Sequence, residues 1–272
     1  MANYLTFSSA EPFTIATAKA SKSWDGTLYY STNAITWSEW DGTTAIASAE
    51  HEGEQRIHMR GIGNSVITGI LTKRWVLTGN DVACTGNIEN LLDYEIVKSG
   101  EHPVMATNCY YGLFSGWSGL TTAPALPATT LANGCYGCMF EYCTSLTTLP
   151  ALPATTLADS CYQYMFSGCT SIKLSETQTD NYPYEYRIPI SGTGTTATNA
   201  LLVMFTGTGG ALTGMPEINT TYYTSNRVIV DEIEPTLTEC DFYRVINGSW
   251  VKCDAVRPMG GEWVKQDEYR YE

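Results

Sequence analysis

The stretch CYGCMFEYCTSLTTLPALPATTLADSCYQYMFSGCTSI, residues 135–172, holds five of the nine cysteines of the chain and returns to its own beginning after 26 residues. The same spacing extends one unit towards the N-terminus and defines two columns: Cys109, Cys135 and Cys161, and Trp117, Cys143 and Cys169. A degenerate unit, VMFTGTGGALTGMPEINTT, follows at 203–221 after an insertion. A fixed period of this length is typical of a solenoid, in which each unit buries its apolar face by stacking on its neighbours.

Apolar residues recur at every fourth position within a unit. The three series are Met105, Cys109, Leu113 and Trp117; Leu131, Cys135, Met139 and Cys143; and Leu157, Cys161, Met165 and Cys169. This spacing predicts a short helix with one inward face in each unit. The segment SLTTLPALP, rich in Thr and Leu and interrupted by proline, predicts a short strand or extended segment on the opposite side of the coil.

The repeated cysteines could fill a core, form disulfides or bind a metal. Trp117 replaces a cysteine in the first unit, and free cysteine is among the most buried residue types. Cys135 and Cys138 form a CxxC pair, but a zinc site needs a second ligand pair at suitable spacing, and the histidines lie far away. We therefore favour core packing over the two alternatives. The predicted repeat core consists of Cys109, Trp117, Cys135, Met139, Cys143, Cys161, Met165 and Cys169.

The units resemble those of the BspA-like leucine-rich-repeat proteins, which read CY..MF.gCTSLTtaPaLPATTLa. The resemblance is close over residues 105–174 and weaker over 85–94 and the degenerate unit. Proteins of this family occur on the surfaces of gut bacteria and among the structural proteins of their phages. The resemblance implies a solenoid used for adhesion or recognition, and it offers no catalytic residues to carry over. This chain departs from the pattern because its fourth unit is interrupted.

Residues 3–80 show strand-like alternation broken by turn signals, and the sequence WDGT begins at both Trp24 and Trp40. Asp-Gly between alternating runs is a strong hairpin signal, so we expect a small antiparallel β-sandwich. Aromatic faces in this domain could stack on sugar rings while an aspartate binds hydroxyls. The candidate ligand-binding residues are Trp24, Tyr29, Trp37, Trp40 and Asp41. The competing interpretation assigns such aromatic residues to the core and to cross-strand pairs.

Two similar pieces near the C-terminus, NGSWVKCD at 247–254 and GGEWVKQD at 260–267, predict turns that lead into strands. We expect them to pack on the solenoid or on another subunit, with Trp250 and Trp263 as candidate subunit contacts. The predicted fold class is mainly β with short helices. Its expected parts are a β-sandwich at 1–80, a leucine-rich-repeat solenoid of 26-residue units at 81–226 with an insertion at about 173–200, and a β-hairpin module at 227–272.

Composition restricts the partners. The chain has 28 acidic and 15 basic residues, a formal net charge of -13, and no cluster of Lys and Arg, so nucleic acid is not an expected partner. No window approaches the length of a membrane span and the first residues lack a signal-peptide pattern, so we expect neither membrane insertion nor secretion. Motifs of phosphate, dinucleotide, hydrolase and metalloprotease sites are missing, so we expect no enzyme, no cofactor and no metal.

Two functions agree with these observations. The first is a virion structural or attachment protein of a gut phage, of tail, fibre or decoration type. Such a protein would be made in the host cytoplasm, would bind other virion subunits and itself, for example as a trimer, and would recognise a glycan or protein on the host surface. The alternative is a bacterial cell-surface adhesin that binds glycan or host protein and is expressed here without its leader.

Overall fold

The computed structural model describes residues 4–212 and 214–229, together with the backbone of two strands at 242–246 and 249–253. The expectation of a mainly-β chain is confirmed. Regular helix in the described part is restricted to α1 (Tyr94–Lys98) and to two 3-10 turns, Leu71–Lys73 and Ile88–Leu91. The chain divides into two compact units, 1–231 and 232–272.

The largest sheet has one face in the core and one face at the surface. Its strands, in spatial order, are β10 (Leu120–Thr122), β9 (Val82–Thr85), β1 (Leu5–Ser9), β7 (Glu54–Ile62), β3 (Thr27–Ser31) and β4 (Ser38–Trp40), and β6 (Ala49–His51) also pairs with β7. In β1 the side chains of Leu5 and Phe7 are fully buried, whereas Thr6 between them is only half-buried. This alternation follows from the two-residue period of a strand. The outer face of β1, β7 and β3 therefore lies outside the hydrophobic core.

A second sheet lies against the same core. It contains β5 (Ile46–Ala47), β2 (Thr14–Thr17) and β8 (Trp75–Thr78), all antiparallel. Trp40 of the first sheet and Trp75 of the second meet edge to face, with ring centroids 5.1 Å apart. One hydrophobic core continues from Leu5 in β1 to Tyr222 beyond the repeats.

The repeat units stack through regular backbone hydrogen bonds. The amide of Tyr110 donates to the carbonyl of Cys135 at 2.9 Å, and the amide of Tyr136 donates to the carbonyl of Cys161 at 2.9 Å. The amide of Phe166 donates to the carbonyl of Met204 at 3.0 Å, so the degenerate unit joins the stack after the insertion. The 26-residue period of the sequence is thus a period of the backbone ladder.

The short helix predicted in each unit is wrong. In the first unit the amide of Leu113 bonds to the carbonyl of Tyr110, three residues earlier, while the amide of Gly112 bonds to Gly137 in the next unit. A left-handed backbone also recurs every four residues: φ is 59° at Asn108, 64° at Gly112 and 81° at Gly116. A left-handed residue cannot continue a right-handed helix. The inward spacing of four residues therefore arises from a succession of tight turns.

Short strands complete the compact unit formed by residues 1–231. Strand β11 (Thr148–Pro150) pairs in parallel with β15 (Arg227–Ile229), and β14 (Thr221–Thr224) lies between β12 (Leu174–Ser175) and β13 (Tyr184–Arg187). The buried amide of Asn226 ties these strands to the stack, because its Nδ2 donates at 3.0 Å to the carbonyls of both Thr147 and Ser171.

In the C-terminal unit, β16 (Phe242–Ile246) and β17 (Ser249–Cys253) form an antiparallel pair. Trp250 lies in β17, of which only the backbone is described, and Trp263 lies outside the described residues. Their role as subunit contacts stays a prediction.

Candidate functional site

The residues of the predicted repeat core are all buried. Their exposed fractions are 2% for Trp117 and 0% for Cys109, Cys135, Met139, Cys143, Cys161, Met165 and Cys169. Between them run columns of stacked rings, in which Phe140 stacks on Phe114 and on Phe166 with centroids 5.5 Å apart in each pair. These side chains hold the stack together and are closed to a ligand.

The cysteines of the described residues are free thiols. Burial raises the pKa of Cys169 to about 12, and it raises that of Cys143 well above the ordinary value. Their sulfur atoms instead donate weak hydrogen bonds to the previous unit, from Cys143 to the carbonyl of Phe114 at 3.1 Å and from Cys169 to that of Phe140 at 2.9 Å. A thiol with a raised pKa is a poor nucleophile and a poor metal ligand.

Cys138 differs from the other repeat cysteines because it occupies a left-handed position, with φ 54°. Its sulfur lies 3.3 Å from the hydroxyl of Tyr111, and burial raises its pKa to about 11. Among the described residues no group of three or more His, Cys, Asp or Glu side chains is arranged to hold a metal ion. The CxxC pair therefore has no further ligands at hand in this part of the chain.

Three of the five candidate ligand-binding residues serve the fold. The rings of Trp24 and Trp40 stack on each other with centroids 4.9 Å apart, and the two residues are 4% and 3% exposed. Neither indole has a face exposed to a ligand. The prediction that Trp24 and Trp40 bind a ligand is therefore not supported by their positions. The carboxylate of Asp41 accepts hydrogen bonds from the amide of Thr43 at 2.8 Å and from its hydroxyl at 2.7 Å, which closes a local turn.

The other two candidates, Tyr29 and Trp37, meet around an arginine on the outer face of the large sheet. Tyr29 in β3 is paired in register with Arg60 in β7, and both point away from the core. Trp37 immediately precedes β4, and its ring lies 4.2 Å from the guanidinium carbon of Arg60. The same carbon lies 5.8 Å from the ring of Tyr29. Both distances are within the range of a cation–π interaction.

Two further tyrosines complete what we call the Arg60 cluster, which consists of Tyr4, Tyr29, Trp37, Arg60 and Tyr94. The ring of Tyr4 lies 4.6 Å from that of Trp37 and 5.1 Å from that of Tyr94. Burial and a side-chain hydrogen bond with Tyr4 raise the pKa of Tyr94 to about 12. The phenol is therefore neutral at physiological pH and presents no negative charge to the guanidinium.

Local capping fixes the position of Tyr94. It begins α1, whose N-cap residue Asp93 accepts hydrogen bonds from the amides of Glu95 and Ile96. The other oxygen of the Asp93 carboxylate accepts from the amide of Gly63, just beyond β7, at 2.9 Å. One carboxylate thus ties the start of α1 to the strand that carries Arg60.

Sequence patterns could identify only part of this cluster. Tyr29 and Trp37 are close in sequence, whereas Tyr4, Arg60 and Tyr94 come from distant segments whose meeting depends on strand register. The alternation of β7, with Ile57 and Met59 inward, places Arg60 on the outer face once that strand is recognised.

Comparisons with protein-family models, with curated proteins and with solved structures give no match to this chain. Among the described residues no helix is both long and apolar enough to cross a membrane.

Proposed function

We propose that the chain is a non-enzymatic virion structural or attachment protein of a gut phage, of tail, fibre or decoration type, which recognises the surface of the host. The observation that supports this function is the Arg60 cluster. It presents partly exposed aromatic rings and a cation on the outer face of a sheet whose inner face is fully packed. Partly exposed aromatic and arginine side chains on a rigid element are typical of recognition surfaces.

The finer assignment of the fold belongs to the same proposal. We assign the two N-terminal sheets to a β-sandwich, because Trp40 and Trp75 bring them against one core. We assign the stacked units to a BspA-like leucine-rich-repeat solenoid, because their hydrogen bonds follow the repeat of the sequence. In this arrangement the solenoid is a rigid support and the sheet face makes the contact.

The chemistry of the cysteines supports a function other than catalysis. The thiols of Cys109, Cys135 and Cys161 lie in one buried column, and burial raises the pKa of each. They suit a structural role in a reduced core.

Attachment through one small cluster would be weak for a single chain. We expect the protein to act as a homo-oligomer, such as a trimer, bound to other virion subunits, because several copies multiply a weak contact. Light scattering of the purified protein tests this expectation. A trimer or larger ring agrees with it, and a monomer at every accessible concentration contradicts it.

The alternative function is that of a bacterial surface adhesin that binds glycan or host protein. It is favoured by the same cluster, since sugar rings also cover the surfaces of animal cells. The two functions differ in the surface that is recognised, a bacterial envelope for the phage protein and an epithelial or mucin surface for the adhesin.

The test is the binding of the labelled protein to intact cells. A panel of gut bacteria and a mucus-producing epithelial line are incubated with equal concentrations of the full chain. Saturable binding to a subset of the bacteria supports the phage attachment protein, and binding to the epithelial surface alone supports the adhesin. If neither surface is bound, including by an artificially multimerised form, recognition is not the function of this chain.

A further inference from the structure

The Arg60 guanidinium is surrounded by aromatic rings on several sides. Its carbon lies 4.2 Å from the ring of Trp37, 5.6 Å from that of Tyr94 and 5.8 Å from that of Tyr29. These contacts restrict the orientation of the planar group through cation–π attraction. The side chain as a whole remains partly exposed. The cation is therefore pre-oriented but not closed off.

No acidic side chain of the described residues forms an ion pair with Arg60, and its Nε is buried without a hydrogen-bond partner there. Arg56, four residues earlier on the same face of β7, behaves differently. Its guanidinium pairs with Glu52 at 2.7 Å and with Glu54 at 3.4 Å. In a chain with 28 acidic and 15 basic residues, acidic partners outnumber the cations. Arg60 is surrounded by aromatic side chains instead.

Glu39 and Glu95 adjoin residues of the Arg60 cluster, and neither forms an ion pair with Arg60 in the described part of the chain. Glu39 in β4 is exposed and lies in register with Tyr29. Glu95, beside Tyr94, pairs with Lys98 at 3.6 Å. Tyr94 itself stays protonated, because burial and its bond with Tyr4 raise its pKa to about 12. An incoming anion would therefore find the guanidinium without an acidic partner from this part of the chain.

We propose that the Arg60 cluster binds a carboxylated polysaccharide, with Arg60 on the carboxylate and the rings of Trp37 and Tyr29 against the apolar face of the sugar. This inference rests on the proposed function and names the ligand class of that surface. A guanidinium matches a carboxylate through two parallel hydrogen bonds, and the ring contacts reduce the entropy lost when they form.

The charge of the whole chain selects among anionic polymers. A formal net charge of -13 repels every polyanion, and it repels most strongly a polymer with more than one charge per sugar, such as a densely sulfated polysaccharide. A chain of uronic acids carries at most one charge per sugar, and each charge adjoins an apolar ring face that an aromatic side chain can cover. The cluster offers one cation beside several rings, which matches this ratio.

The experiment measures binding of the full-length protein, by biolayer interferometry, to immobilised polygalacturonate, alginate and hyaluronan. Each polymer is compared with its carboxyl-reduced form, in which the uronic acids are converted to neutral sugars. We expect at least one acidic polymer to bind ten-fold or more tightly than its reduced form, and salt to weaken that binding. Dextran sulfate is included as a densely charged control.

The variants assign the effect to the cluster. Arg60→Gln should remove the difference between acidic and reduced polymers, and Arg60→Lys should keep part of it, because lysine retains the charge without the planar fork. Arg56→Gln is the matched control on the same strand and should bind as the wild type does. Thermal unfolding of each variant verifies that the fold is retained, and Arg60→Lys keeps the test valid if Arg60→Gln does not fold.

The inference is overturned if the reduced polymers bind as tightly as the acidic ones, if none of the polymers binds, or if dextran sulfate binds more tightly than all of them. The proposed function fails separately, in the experiment with intact cells. A protein that binds bacteria but ignores carboxylates would retain its function and lose only this ligand class.

Discussion

The repeat stack and the outer face of the large sheet use aromatic side chains in opposite ways. In the stack, Phe114, Phe140 and Phe166 follow one another as stacked and fully buried rings, and Phe140 is covered by a ring of the unit on either side. On the sheet, Trp37 and Tyr29 surround a cation and remain partly exposed. Rings that are fully packed against their neighbours stabilise the fold. Rings that are held in place but partly exposed to solvent can also contact a ligand.

The largest change in the free energy of unfolding is expected in the repeat stack. Phe140→Ala removes a fully buried ring between two others and should lower the free energy of unfolding by about 3–5 kcal/mol. Urea denaturation measures the loss, with Phe140→Leu as a control that keeps most of the volume and should cost less. A loss below about 1 kcal/mol for the alanine variant would contradict a packing role for the column.

The rate at which the thiols react with an alkylating reagent should depend on their burial. For Cys138, with a pKa raised to about 11, only about one thiol in a thousand is ionised at pH 8, roughly a hundred-fold fewer than for an exposed cysteine. Native alkylation followed by peptide mass spectrometry should therefore label Cys138 slowly, and label the fully buried Cys143 and Cys169 only after unfolding. Because the thiolate is the reactive form, labelling of Cys138 should rise about ten-fold per pH unit below its pKa. Rapid native labelling of Cys143 would show that the stack opens.

A moderate effect is expected where the turns require a left-handed backbone. Gly168 has φ 75°, and a Cβ there would clash with the ring of Tyr142. Gly168→Ala should cost about 1–3 kcal/mol in urea denaturation. Adding Tyr142→Ala should recover only the steric part, because the backbone strain remains. Full recovery would mean that the left-handed turn imposes no cost.

The smallest effect is expected at Arg56, on the same strand as Arg60. Its partners Glu52 and Glu54 are exposed, and ion pairs of this kind contribute less than about 1 kcal/mol. Arg56→Ala should therefore change stability by that amount or less and leave cell binding unchanged. Loss of cell binding in this variant would extend the recognition surface beyond the Arg60 cluster.

The two regions also differ in how well their sequences predict them. Alternation in β1 and β7 indicates strands directly, because a two-residue period has one common structural origin. A four-residue period has two structural origins, a helix or a succession of turns. The spacing of the apolar residues does not distinguish between them. Gly112 and Gly116 marked the turns, but the equivalent positions Cys138 and Tyr142 in the next unit hid the pattern.

The candidate site was only partly predictable for a related reason. Trp40 could be told from Trp37 only once the register of β3 and β4 had placed Trp40 opposite the buried Leu28. Trp24 lies outside the strands and is buried by stacking on Trp40, a contact that the sequence does not show. Tyr4 and Tyr94 join the Arg60 cluster through tertiary contacts, and those contacts leave no local signal in the sequence.

The most direct test of the account is the cell-binding isotherm of Trp37→Ala beside that of Tyr142→Ala. Tyr142 is 59% exposed but lies on the repeat stack, outside the Arg60 cluster, so it controls for the loss of any surface ring. We expect Trp37→Ala to weaken binding at least ten-fold while still unfolding as a cooperatively folded protein, and we expect Tyr142→Ala to bind as the wild type does. Equal binding by both variants, or a loss confined to Tyr142→Ala, would contradict the assignment of recognition to the sheet face.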